Sequence, residues 1–163
     1  MGWETEITRI VRFLINDIDG TTYDDNRLEE TILVAAQLLL NTMDFDNTYL
    51  VETDSGSLSP DPTLLSTKDN FFIGCLSMKA AIIVLNSEAK TAAAQSWRIK
   101  DSNASLDTTA SYQAMHQLAK ELSDKLEKYI FDYRAGNSIV GGCVITPTTF
   151  EGTSYSQEMR NFY

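Results

Sequence analysis

Apolar residues recur at helical spacing in four segments of the chain, and the longest dominates the pattern. Over residues 108 to 135, Met115, Leu118, Ala119, Leu122, Leu126, Tyr129, Ile130 and Tyr133 follow one another in steps that place them on a single helix face. Gln113, Gln117, Lys120, Glu121, Asp124, Lys125 and Lys128 fill the opposite face. There Glu121 with Lys125, and Asp124 with Lys128, stand one turn apart in the favourable acid-first order. Asp107, Thr108 and Thr109 offer cap oxygens at the start, and Gly136 is the expected stop. A helix of about 27 residues spans roughly 40 Å and is the expected spine of the fold.

Three further helices precede it. Ile7, Ile10, Val11, Leu14 and Ile18 make a first stripe that ends at Asp19-Gly20, where glycine permits the turn. Asp24, Asp25 and Asn26 supply cap oxygens to a second helix running to about Met43, with Glu29 and Glu30 expected in its first turn, where the dipole favours acids. Its stripe of Leu28, Ile32, Ala35 and Leu39 is widened by Leu33, Val34, Ala36, Leu38 and Leu40, so it needs neighbours on more than one side. A third helix starts near Lys68 or Asp69. Its steps of four and three through Phe71, Cys75, Met78, Ile82, Leu85, Ala89 and Ala92 predict a packing seam.

Between the second and third helices, residues 47 to 66 read as a projecting hairpin or loop. Thr48 to Val51 and Thr53 favour strand, Asp54 to Ser57 is turn chemistry, and Pro60 and Pro62 bar a central-sheet position. Trp97 to Lys100 alternates like a strand, and Asp101 to Asn103 turns the chain toward the long helix. The fold class expected is mainly α: a four-helix bundle over 1–136, with a projecting hairpin or loop near 47–66 and an extended C-terminal tail over 137–163. In that tail Ile139, Val140, Val144 and Ile145 form a strand-like face without a partner, broken by Gly141-Gly142, and Phe150, Tyr155, Phe162 and Tyr163 follow. Such residues in a polar tail are the expected docking set for a neighbouring protein.

With 163 residues and 43% hydrophobic content, the chain suits one core. Its formal charge of −10 argues against gripping a phosphate backbone through counterion release. Cys75 and Cys143 lack metal or redox spacing, and no apolar run is expected to approach the roughly 18 residues of a membrane span. No cationic, apolar leader opens the chain, so the expectation is a cytoplasmic protein without membrane contact.

Chemistry-bearing motifs are few. Asp17-Ile18-Asp19-Gly20-Thr21 resembles the nucleophile motif of haloacid dehalogenase-type phosphatases, where the first aspartate attacks phosphorus, the second is acid and base, and both help to hold magnesium. That motif ends a buried parallel strand, whereas the residues before Asp17 have helical spacing. A helix-ending turn is the competing reading. His116, the one histidine, has no partner suggested by spacing. The acids are too dispersed for a calcium loop, and Gly141-Gly142 lacks the lysine and helix of a phosphate-binding loop. No cofactor or metal is expected.

The order of pieces along the chain resembles the head-to-tail adaptor (connector, head-completion) proteins of tailed bacteriophages. The matching pieces are Val11-Arg12 through Asp17, then Tyr23-x-Asp25 leading into Leu28, Ile32 and Ala35-Ala36. Ala80-Ala81 with Ala92 to Ala94, and Arg98 to Asp101 followed by Ser105 to Asp107, come after them. The resemblance implies a non-enzymatic homo-oligomeric ring, usually a dodecamer, seated between the portal protein and a downstream neck or tail protein. DNA would pass through its channel without specific binding, and the protein, assembled in the host cytoplasm, would reside at the head-tail interface of the virion. The alternatives from other classes are a magnesium-dependent phosphatase using Asp17 and Asp19, and a generic helical interaction module.

Overall fold

The computed structural model describes residues 2–64, 66, 68–94, 98–101, 104–107 and 109–137. Four helices carry the chain: α1 (Trp3–Ile15), α2 (Asp25–Leu40), α3 (Asn70–Ala94) and α4 (Thr109–Asn137). Two antiparallel hairpins join them, β1 (Leu50–Glu52) with β2 (Ser57–Ser59) and β3 (Arg98–Asp101) with β4 (Ala104–Asp107). The fold is mainly α, as the periodicity requires.

Helix α3 is the centre of the packing, lying against both α1 and α2. Phe72, Ile73, Cys75, Leu76, Ser77, Ala80, Ala81, Ile82, Val84, Leu85 and Ala89 are all buried, so it is covered nearly all round and is more than the one-sided seam its four-and-three steps suggest. The small residues Ala80 and Ala81 let the flanking backbones approach, and the buried Ser77 hydroxyl donates to the Ile73 carbonyl at 2.7 Å. By length and mean hydropathy (1.4 over 18 residues), α3 passes for a membrane span despite Lys79 and Glu88. Over half of that window, 56%, is buried inside the protein, as expected of a core helix.

Specific polar contacts start α1 and α3. The first free amide of α1, Trp3 N–H, donates to Asp61 Oδ2 at 3.1 Å from the loop after the first hairpin, and Glu4 and Glu6 in the first turn suit the dipole. This helix ends at Ile15 rather than near Gly20, because Asn16 adopts a left-handed conformation (φ 60°) and its amide and that of Asp17 close on carbonyls of the last turn. Ile18, expected on the buried stripe, therefore lies beyond the helix and is exposed. Asp24 is the N-cap of α2 but its side chain makes no cap hydrogen bond. Asp69 caps α3, accepting Phe72 N–H at 2.9 Å.

The hairpin expected near 47–66 is present, with Leu50 opposite Ser59, Val51 opposite Leu58 and Glu52 opposite Ser57. Its root belongs to the core, however. Tyr49, Leu58 and Pro62 are buried, and the Tyr49 ring stacks on Phe72 with centroids 3.9 Å apart. Phe45 meets the same Phe72 edge-on at 4.9 Å. The turn, residues 53 to 56, is exposed; it lines a shallow cleft with Asn26, Glu29, Glu30 and Leu33 of α2, and Gly56 supplies the positive φ of 68°.

The second hairpin is legible only in its first half: the sequence puts a strand over Trp97 to Lys100 and a turn from Asp101, whereas β3 includes Asp101, and Ala104 to Asp107 pairs with it from Arg98 opposite Asp107 to Asp101 opposite Ala104. Helix α4 continues through Gly136 to Asn137, so that glycine does not stop it. Its stripe follows the expected positions in part, with Ala119, Leu122 and Leu126 buried and Met115 half-buried, while Leu118 is exposed. Glu121 accepts a hydrogen bond from Gln117 at 3.2 Å, and among the described residues neither Glu121 with Lys125 nor Asp124 with Lys128 closes into an ion pair. By its contacts the chain separates after Lys128. Of the second unit the described part is the end of α4 from Tyr129, in which Ile130 and Tyr133 are half-buried and Phe131 is exposed.

Candidate functional site

The densest polar geometry lies where α1 turns into α2. The turn after Asn16 drives Asp17 inward, and this carboxylate is buried. Its Oδ1 accepts Thr22 N–H at 3.0 Å and its Oδ2 accepts Tyr23 N–H at 3.2 Å. Arg12, one turn before the end of α1, completes the corner: Nη1 pairs with Asp17 Oδ2, while Nη2 donates to the Tyr23 carbonyl at 2.8 Å and to Asp25 Oδ1 at 2.6 Å. Burial alone would raise the Asp17 pKa. The Thr22 and Tyr23 donors and the Arg12 charge outweigh it and hold the carboxyl below its ordinary value. Gly20, at φ 66°, passes so close to the guanidinium that a Cβ would stand 3.4 Å from Arg12 Cζ.

Chemically this is a closed clamp. Asp17 has both oxygens engaged, and Arg12 spends its fork on three acceptors. A phosphatase nucleophile sits at the end of a parallel strand, whereas Asp17 follows a helix, and both sheets among the described residues are antiparallel pairs. Asp19, the second aspartate of that motif, is exposed. Sequence reasoning singled out Asp17 for a different chemistry and missed Arg12 as its partner; the five-residue spacing across a helix end carries no periodic signal.

Beside the clamp, α1 and the start of α2 enclose a cleft of about 270 Å³. Glu4, Thr8 and Phe13 of α1 line it, with Ile18 from the turn and Glu29 from α2. Glu29 is half-buried, and burial, then the carboxylates of Glu4, Asp25 and Asp24, push its pKa up. Thr8 is 6% exposed, and its hydroxyl is the one buried side-chain polar atom among the described residues without a hydrogen-bond partner.

A second polar cluster stands at the start of α3. Asp69 Oδ2 accepts the Tyr49 hydroxyl at 2.6 Å and Asn47 Nδ2 at 2.9 Å. Burial raises the Asp69 pKa, but these donors and the Phe72 and Phe71 amides bring it below the ordinary value, while burial and the same carboxylate raise that of Tyr49. The cluster ties the hairpin root to α3. The Cys75 thiol is buried on α3 and pushed up to about 12 by burial and the Asp69 charge, which makes it an inert core residue. His116 is exposed on α4 and stacks on Tyr112 with centroids 6.0 Å apart. Among the described residues no group of His, Cys, Asp and Glu is placed to hold a metal ion.

The expected docking residues Ile139, Val140, Val144, Ile145, Phe150, Tyr155, Phe162 and Tyr163, like Cys143, lie outside the described residues. Comparison with family models, with curated proteins and with solved structures returns no match.

Proposed function

We propose that this chain is a structural component of a phage neck, a ring subunit that joins the portal vertex to the tail and surrounds the DNA channel. The observation that carries the reading is the α1–α2 corner. Arg12, Asp17, Tyr23 and Asp25 are the residues on which the resemblance to head-to-tail adaptors begins, and they are the ones tied together by Arg12.

Two further features support it. Val34 and Leu38, one turn apart on α2, stay 46% and 42% exposed, so the broad apolar surface of this helix is only partly used within the chain. The charge of −10 suits a wall past which DNA slides without sticking. The tail from 137 is the proposed docking segment, its Ile139 to Ile145 pairing with a strand of the portal or a neighbouring subunit.

The test is sedimentation of the purified chain with its portal protein. Co-sedimentation as a complex with many copies of the chain per portal is expected, and loss of binding on truncation after Gly136. A chain that sediments alone beside its portal contradicts the reading. So does magnesium-dependent turnover of a phosphomonoester that Asp17→Asn abolishes.

A further inference from the structure

We propose that the exposed face of α2 docks on the end of α4 of a second copy of the chain, with Phe131 of one copy seated between Val34 and Leu38 of the next. The inference rests on the ring reading and names the surfaces by which neighbours in that ring meet. Glu30, Val34 and Leu38 follow one another at four-residue spacing on α2, so they form one row, and all three are exposed. Val34 and Leu38 stand roughly 5–6 Å apart at their β carbons, which leaves a slot for one ring between them.

Charge decides what covers this row. Residues 1–69 hold 14 of the 23 acidic residues and 4 of the 13 basic ones, so the whole formal charge of −10 resides there, and residues 70–163 are balanced. Pairing α2 with α2 across a two-fold axis would set two acidic surfaces against one another, each with its own Glu30, and such a pair is closed at two copies. A heterologous contact of the acidic part with the balanced part avoids that repulsion. It also leaves a free face at each end, which is how a ring grows.

The end of α4 supplies the counterpart. Phe131 is 70% exposed, the most of any large apolar residue among the described residues. Arg134 lies one turn further on and is exposed, and neither it nor Glu30 forms an ion pair among the described residues. An aromatic ring beside an arginine is the combination that most often anchors an interface. Phe131 fills the slot and Arg134 meets Glu30. Because Arg134 follows Phe131 in the chain while Glu30 precedes Val34, both contacts close together only when the two helices run antiparallel.

The experiment follows self-association of the purified full chain by sedimentation velocity. The wild-type chain is expected to associate beyond a dimer as its concentration rises. Leu38→Glu and Phe131→Glu should each stay folded by circular dichroism yet sediment as monomers. Mixed in equal amounts they should form a dimer and nothing larger, because each lends the other its intact face. Glu30→Arg and Arg134→Glu should each weaken association roughly five-fold or more, and the two together in one chain should restore it to within about two-fold; this swap still decides the matter if a buried-face glutamate unfolds the chain. Leu64→Glu, at an exposed apolar position on neither face, should change nothing. A wild-type chain that stays monomeric or stops at a dimer, face variants that associate like wild type, a mixture without a complex, or a swap that does not restore association would overturn the proposal. Co-sedimentation with the portal separates this interface from the neck reading. Phe131→Glu reaching the portal in as many copies as wild type sinks the interface alone, whereas a dimer of the mixed variants, with no portal binding by the wild-type chain, sinks the neck reading alone.

Discussion

Phe72 in α3 is fully buried against Phe45 and Tyr49, whereas Phe131 near the end of α4 keeps 70% of its surface exposed. The same contrast runs through the polar groups. In the core, Asp17 and Asp69 each collect several donors, and Arg12 joins three acceptors. On α4 most polar residues face water, while Ala119, Leu122 and Leu126 are buried. Leu118 and Tyr129, about three turns apart on one side of it, are both exposed. The difference lies in exposure: α3 is buried nearly all round, whereas α4 buries one stripe and leaves large apolar side chains at the surface.

The largest effect should come from the core. Phe72→Ala removes the ring that Phe45 and Tyr49 pack on, and a loss of about 3–5 kcal/mol is expected in urea unfolding. A loss under 1 kcal/mol would mean that the hairpin root is not part of the core. Arg12→Met leaves Asp17 buried without its cation and should cost about 3 kcal/mol. It carries a pH signature as well. Because the folded Asp17 pKa lies below its ordinary value of 3.8, its contribution is complete at neutral pH and drains away as the pH falls through the folded value. Asp17→Asn should flatten that acid limb in an unfolding series from pH 6 downward, and an unchanged acid limb would remove Asp17 from the account.

How much of this was legible in the sequence follows the same divide. The four helices and the first hairpin announce themselves through apolar spacing and turn residues. What periodicity does not carry is contact across a helix end, so the stop of α1 was placed at Gly20 while the Arg12–Asp17 clamp set it at Asn16. The seam read on α3 understates its burial because a helix apolar nearly all round contains every stripe, and choosing one is arbitrary; the run Ile82 to Leu85 is the signal that it is central. Tyr49 reads as a strand residue and Pro62 as a loop residue of a projecting hairpin, and their burial is not legible because it depends on Phe72 and on the docking of the hairpin. The unpartnered Thr8 has no sequence signature whatever.

Two smaller effects sharpen the comparison. Thr8→Val replaces an unpaired buried hydroxyl with an isosteric methyl and should raise stability by about 1 kcal/mol, and a loss of that size would show that the hydroxyl has a partner. Leu118→Ser and Phe131→Ser on α4 should shift unfolding by no more than about 0.5 kcal/mol, as exposed positions do. Their effect should instead appear as weaker self-association in sedimentation velocity. Strong destabilisation of the isolated chain by either would show that its side chain is buried and erase the contrast.

The central claim is that this chain works as an assembled ring, and electron micrographs of the purified protein mixed with its portal address it most directly. The account predicts closed rings stacked coaxially on the portal, with an open central channel. Portals left bare beside monomeric chain, at concentrations well above those of assembly, would contradict it.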